Sequence, residues 1–191
     1  GADISYGTMA PTVLENNHTQ ISTKGIQVTA TNEAVTSAGR NNEMAYQVAK
    51  AAKELKRDME TALLSNVAKA AGNATTARKL GGCPTWYETN VDAGSGGSGA
   101  GNGAIRTDGT QRAFTEDQLK GILVSCYNEG GNPNMIMVNA FNKQKLSGFT
   151  GGSTRFDAAE DRRLITSIDV YESDFGTMQV SPNRFIRGAN S

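Results

Sequence analysis

Between Asn42 and Ala71, Met44, Val48, Ala52, Leu55, Met59, Leu63 and Val67 recur at steps of three and four. That spacing predicts one uninterrupted helix with a narrow apolar stripe along its length. Most of the remaining circumference is Lys, Arg, Asp, Glu, Gln or Ala. Lys50/Glu54 and Lys56/Glu60 fall at i,i+4 spacing, each pair worth ~0.3 kcal/mol if formed. At 1.5 Å per residue such a helix runs to roughly 40 Å, longer than a compact domain of this size is wide. The pattern predicts a girder whose stripe, Leu55 and Leu63 above all, packs on the rest of the domain.

The flanking sequence has other periods. Gly1 to Asn17 is polar and irregular, and Thr19 to Thr31 has the Thr, Ile and Val content of extended chain. Ile26, Val28 and Ala30 share one phase and Ile21 the other, with Gly25 between them as a natural kink. So polar a strand is expected to be an exposed ribbon or arm that lacks its pairing partner. After the girder, Gly72-Asn73 is the helix stop, and a compact connection carries Trp86, the single tryptophan. Asp92 to Ala104 is rich in Gly and Ser. No strand precedes it and no amphipathic helix opens at its end, so it is read as a mobile, dispensable surface loop rather than a nucleotide-binding turn.

The second half alternates strand and helix. Thr115 and Gln118 have capping-box spacing, with Phe114 and Leu119 as a hydrophobic staple. A helix is predicted from there, with Leu119, Ile122, Leu123, Cys126 and Tyr127 on its apolar face and Gly130-Gly131 at its end. Met135 to Val138 reads as a buried strand, and Asn139 to Ser147 as a short helix with Phe141 and Leu146 inward. Arg163 to Ile186 reads as two strands joined around Ser173-Asp174-Phe175-Gly176, with Met178 and Val180 on one face. The fold class is α+β: a sheet with a well-capped helix on it, a projecting arm and a girder.

Composition narrows the function classes. Nineteen basic and nineteen acidic residues leave a formal net charge of +0, without the basic excess of a dedicated nucleic-acid or membrane binder. No stretch approaches the ~18 apolar residues of a membrane span, and no signal peptide opens the chain, a pattern expected of a soluble, cytoplasmic protein. The two cysteines, Cys83 and Cys126, lack zinc-site spacing and are read as free thiols. The single histidine, His18, has no candidate partner near it in sequence. Ser147 and Ser173 lack a Gly-x-Ser-x-Gly elbow. Asp157/Glu160 and Glu116/Asp117 read as solvated or helix-terminal charge rather than acid-base pairs. The residues therefore point to no enzyme, no metal and no cofactor. Gly1 in place of an initiator Met predicts a fragment or processed chain.

The order of the elements carries a resemblance. Thr19-Gln-Ile-Ser-Thr-Lys24, Ala34-Val35, Ala38-Gly39-Arg40, Glu54-Leu-Lys-Arg-Asp-Met-Glu60 and Ala77-Arg-Lys-Leu80 are followed by Phe114-Thr-Glu116, Phe149-Thr-Gly151, Ser173-Asp-Phe-Gly176 and Pro182-Asn-Arg184. The series, from about Asn17 to Phe185, resembles the major head proteins of tailed bacteriophages.

The resemblance implies the tailed-phage major capsid fold: an axial α/β domain, a peripheral domain built on a long spine helix, and an extended β loop reaching a neighbouring subunit. Residues 1–31 would be an extended-loop remnant, 32–113 the peripheral domain with its spine helix (42–71) and Gly-rich loop (92–104), 114–185 the axial domain, and 186–191 a truncated C-terminal continuation. Candidate subunit contacts fall at Thr19, Gln20, Ile21, Lys24, Arg40, Lys56 and Arg57. The implied function is a structural subunit of an icosahedral head in the virion, assembled in the bacterial cytoplasm. Its partners would be copies of itself, packaged double-stranded DNA through weak non-specific contact, and portal, scaffolding or decoration proteins, with no membrane. Relatives of this kind carry an N-terminal arm and an outgoing loop strand that this chain lacks, so it is expected to stay monomeric or form small oligomers by itself. A polymeric tail or surface-appendage subunit is the alternative, and helical rather than closed symmetry would mark it.

Overall fold

A computed structural model describes residues 7–9, 11–35, 39, 42–99, 101–149 and 169–186. Its elements are helices α1 (Ala30–Ala34), α2 (Glu43–Leu64), α3 (Glu116–Asn128) and α4 (Ala140–Ser147) and strands β1 (Met135–Val138), β2 (Val170–Ser173) and β3 (Gly176–Pro182). The α+β class read from the sequence holds. Arg40, Asp157, Glu160 and the start of the penultimate strand lie outside the described residues.

The second half folds around a three-stranded sheet in the order β1-β3-β2, with β1 parallel and β2 antiparallel to β3. Register aligns Ile136 with Val180 and Tyr171 with Met178, so these side chains share one face. Leu119 and Leu123 of α3 and Leu146 of α4 close over that face with Met178 and Val180, flanked by Phe114, Phe149 and Val138. The other face leaves Met135, Met137 and Val170 exposed, so β1 alternates rather than being buried throughout. The α3 start is as its spacing predicted. The Thr115 hydroxyl accepts from Gln118 N at 3.4 Å, and Gln118 Oε1 accepts from Thr115 N at 3.1 Å. In α4 only Leu146 turns inward; Phe141 is 64% exposed, against the inward placement expected for it.

Helix α2 is shorter than its periodicity suggested, 22 residues or about 33 Å. Asn42 caps its start by accepting from Ala45 N. It stops at Leu64 because the next two residues have better partners. Ser65 is extended (ψ 150°) and its hydroxyl donates to Thr61 O. Asn66 Nδ2 donates to Arg106 O at 2.8 Å and Asn66 Oδ1 accepts from Arg106 N at 2.9 Å. Short polar side chains that bond backbone in this way compete with the helix. Val67 to Ala71 then joins a layer of bridged loops, with Ala70 paired to Lys79 and Lys69 N donating to Gly103 O.

The side of α2 against the body also differs from expectation. Glu43, Gln47, Ala51, Glu54, Leu55, Glu60, Thr61, Ala62 and Leu64 are the half-buried positions, so of the expected stripe within α2 Leu55 alone is partly covered, while Met44, Val48, Ala52, Met59 and Leu63 stay exposed, Leu63 at 41%. The body beside α2 offers polar loops, and polar groups answer them. Glu54 pairs with Lys24 at 2.6 Å and Glu60 accepts from Asn183 at 3.0 Å. Both expected intrahelical carboxylates are thus engaged elsewhere, and α3 holds the i,i+4 pair instead, Glu116 with Lys120 at 2.9 Å.

The Gly-rich segment is bonded to its neighbours rather than left as a loose loop. Ser98 and Thr107 exchange two backbone bonds, Thr110 N donates to Ser95 O, and Gly103 N donates to Thr85 O. A Cβ on Gly94 would stand 2.1 Å from Thr110 O, and one on Gly109 would stand 2.2 Å from Gly94 O. The glycines bring backbone against backbone, closer than any side chain permits.

Candidate assembly interface

Residues 11–29 form neither helix nor paired strand, and the predicted strand ends in the short helix α1. The segment is nonetheless fastened, and polar groups do the fastening. Asn17 Nδ2 donates to Gly81 O at 3.0 Å while Gly81 N donates to Asn17 Oδ1 at 2.9 Å. Gln20 Oε1 accepts from Leu80 N at 3.2 Å. Lys69 sits over the Trp86 ring, 5.0 Å from its centroid, and donates to Asn16 O at 2.8 Å. Lys24 closes the far end on Glu54.

With its polar groups used against the body, the arm turns apolar ones outward. Leu14 is 95% and Ile21 88% exposed, and Met9 and Val13 are similarly open. A chain folding for itself alone would place these the other way round. Large side chains held in water on a fastened segment mark a contact surface.

Of the residues singled out in the sequence, Gln20 and Lys24 face the body of their own chain, Ile21 faces away and Thr19 is exposed. Lys56 and Arg57 are exposed on α2, well apart along the chain from the arm's fastenings at Gly81 and Leu80. Asn17, Lys69 and Trp86 escaped the sequence reading. Only the uniqueness of Trp86 hinted at a packed node, because the bonds to Asn17 span 64 positions.

Electrostatics gives the arm a pH dependence. The hydrogen bond and charge of Lys24 hold the Glu54 carboxyl below its ordinary value of 4.5. A carboxylate lowered on folding stabilises above its unfolded pKa, and that contribution is lost as pH falls through the lowered folded value. In Lys24→Ala the Glu54 midpoint, followed by carboxyl NMR, is expected to rise toward 4.5. An unmoved midpoint would show that the arm is not held there.

Among the described residues no cluster of His, Cys, Asp and Glu could hold a metal, and no helix is long and apolar enough to cross a membrane. Cys83 and Cys126 are half-buried free thiols.

The chain is 42% identical over 69 residues to the major capsid protein of Escherichia phage Phieco32, a match covering 36% of this chain and 20% of that protein. The matched stretch is thus about a fifth of that relative's length. The sequence profile of the SU10 major capsid protein family matches residues 1–191. The chain, aligned from end to end, belongs to the SU10 major capsid protein family.

Proposed function

We propose that this chain is a structural subunit of an icosahedral phage head, self-assembling into the shell that encloses a DNA genome. The observation that carries the reading is the arm, strapped down by Asn17, Gln20 and Lys24 with Leu14 and Ile21 turned outward. Family membership supports it. In this reading α2 is the spine helix, residues 114–185 belong to the axial domain, and 11–29 is the part of the extended loop that meets a neighbouring copy. Thr19, Ile21, Lys56 and Arg57 are exposed and suited to subunit contact, and Arg40 is assigned the same role from the resemblance. Lys24 and Gln20 position the arm.

A net charge of +0 suits a container whose contact with packaged DNA is weak and non-specific, since a basic lining would bind the genome tightly. Portal, scaffolding or decoration proteins are the remaining partners. The subunit has a structural rather than an enzymatic role; it is assembled in the bacterial cytoplasm and resides in the virion.

Stable interfaces bury well over ~1,000 Å². The 191-residue chain is expected to sediment as a monomer or small oligomer at micromolar concentration, and an extended polypeptide that contains it to form closed shells in negative stain. Helical fibres from the extended polypeptide, or no particles at all, would overturn the capsid reading.

A further inference from the structure

A cleft of about 440 Å³ opens between residues 90–92 and α3, floored by Gly121 and Ile122 and rimmed by Asn90, Val91, Asp117 and Ser125. Three features distinguish it from a casual surface dent. Gly121 sits inside α3, where glycine is disfavoured against alanine, yet a Cβ there would meet nothing within 4 Å. The chain's own packing therefore does not require this glycine. Asn90 is held at φ 55°, the sole non-glycine positive φ among the described residues, by a 2.7 Å bond from the Ser125 hydroxyl. Such backbone clusters at binding surfaces. The Asp117 side chain is exposed on the rim and makes no hydrogen bond or ion pair among the described residues, although its charge is felt by Lys120 on the same helix.

On α4 the same chain carries a complementary shape. Phe141 is 64% exposed, and Lys145, one turn further on, lies over its ring at 5.4 Å from the centroid. Lys145 is exposed and has that ring as its sole partner among the described residues. An aromatic ring with an ammonium beside it matches a cleft with an apolar floor and a carboxylate on its rim.

We propose that the cleft beside α3 receives the Phe141-Lys145 pair of a second copy, the ring over Gly121 and the ammonium against Asp117. The proposal rests on the capsid reading and deepens it by naming one contact between subunits. Donor and receptor are different surfaces of one subunit, so the contact is heterologous and repeats from copy to copy, closing a ring where the rotation allows.

The test uses the shell-forming polypeptide, with particle yield read by sedimentation and folding by thermal melting. Asp117→Lys and Lys145→Asp are each expected to cut the yield at least tenfold, and the double exchange to restore it. Gly121→Leu is expected to raise the melting temperature while abolishing particles, because it favours the helix and fills the cleft. That opposite movement of stability and assembly separates a blocked contact from a damaged fold. Normal particles from Gly121→Leu or from both single exchanges would overturn the proposal while leaving the capsid reading standing, as would a double exchange that stays defective. A parent polypeptide that forms no particles would overturn the capsid reading and this contact with it.

Discussion

Gly82→Ala is expected to lower the melting temperature by about 6–12 °C, from a loss of about 3 kcal/mol at the upper end of overpacking costs. Gly82 has φ −70° and ψ 160°, backbone that any residue adopts, so conformation is not the reason for glycine. Space is the reason. A Cβ would stand 1.9 Å from Ser65 O and 3.0 Å from Ala62 O, at the place where α2 ends. The residue cannot slide aside. Its N–H donates to Val67 O at 3.0 Å, and its carbonyl accepts from Thr85 N and from the fully buried Thr85 hydroxyl. Gly121→Ala provides the opposite sign. With nothing to meet in a helix interior, it is expected to gain up to ~1 kcal/mol. Equal melting temperatures for Gly82→Ala and the parent would show that α2 does not press on residue 82.

How legible the sequence was depended on the range of the deciding interaction. The α3 capping box needs only Thr115 and Gln118, three residues apart, and its signal was complete. The hairpin of β2 and β3 turns within Ser173–Gly176, where the Ser173 hydroxyl donates to Gly176 O at 2.9 Å, and it too could be read locally. The end of α2 could not. Apolar spacing continues to Val67, but the helix is stopped by Arg106, whose backbone pairs with Asn66 from 40 positions away. Helical periodicity says which residues share a face, not which face meets the body. Here Lys24, Asn183 and the loop layer supply polar partners, so the polar flank of α2 turns inward and, Leu55 apart, the predicted stripe is left open.

The arm shows the same limit in another form. Thr19 to Thr31 has strand composition, but composition cannot supply a ladder, and the fastening comes from Gly81, Leu80 and Glu54 instead. The glycines of 92–104 were misread because a flexible linker and a tightly packed turn share a composition. Close approaches such as Gly94 to Thr110 are the difference, and they exist only in three dimensions.

Leu146→Ala is expected to cost about 3 kcal/mol, and Leu63→Ala less than about 1 kcal/mol, in thermal or urea unfolding of the 191-residue chain. Leu146 is 0% exposed and closes α4 onto Met178 and Val180. The described core is only those three residues with Leu119 and Leu123, so a cavity at its centre removes contacts from every member. Such a core has little room to collapse around the gap, which sets the cost above simple transfer of the lost methyl groups. Leu63 is already 41% exposed, and even a carboxylate placed there would remain hydrated, so Leu63→Asp is expected to leave this chain folded. Equal losses at positions 63 and 146 would show that α2 buries its stripe against the rest of the chain.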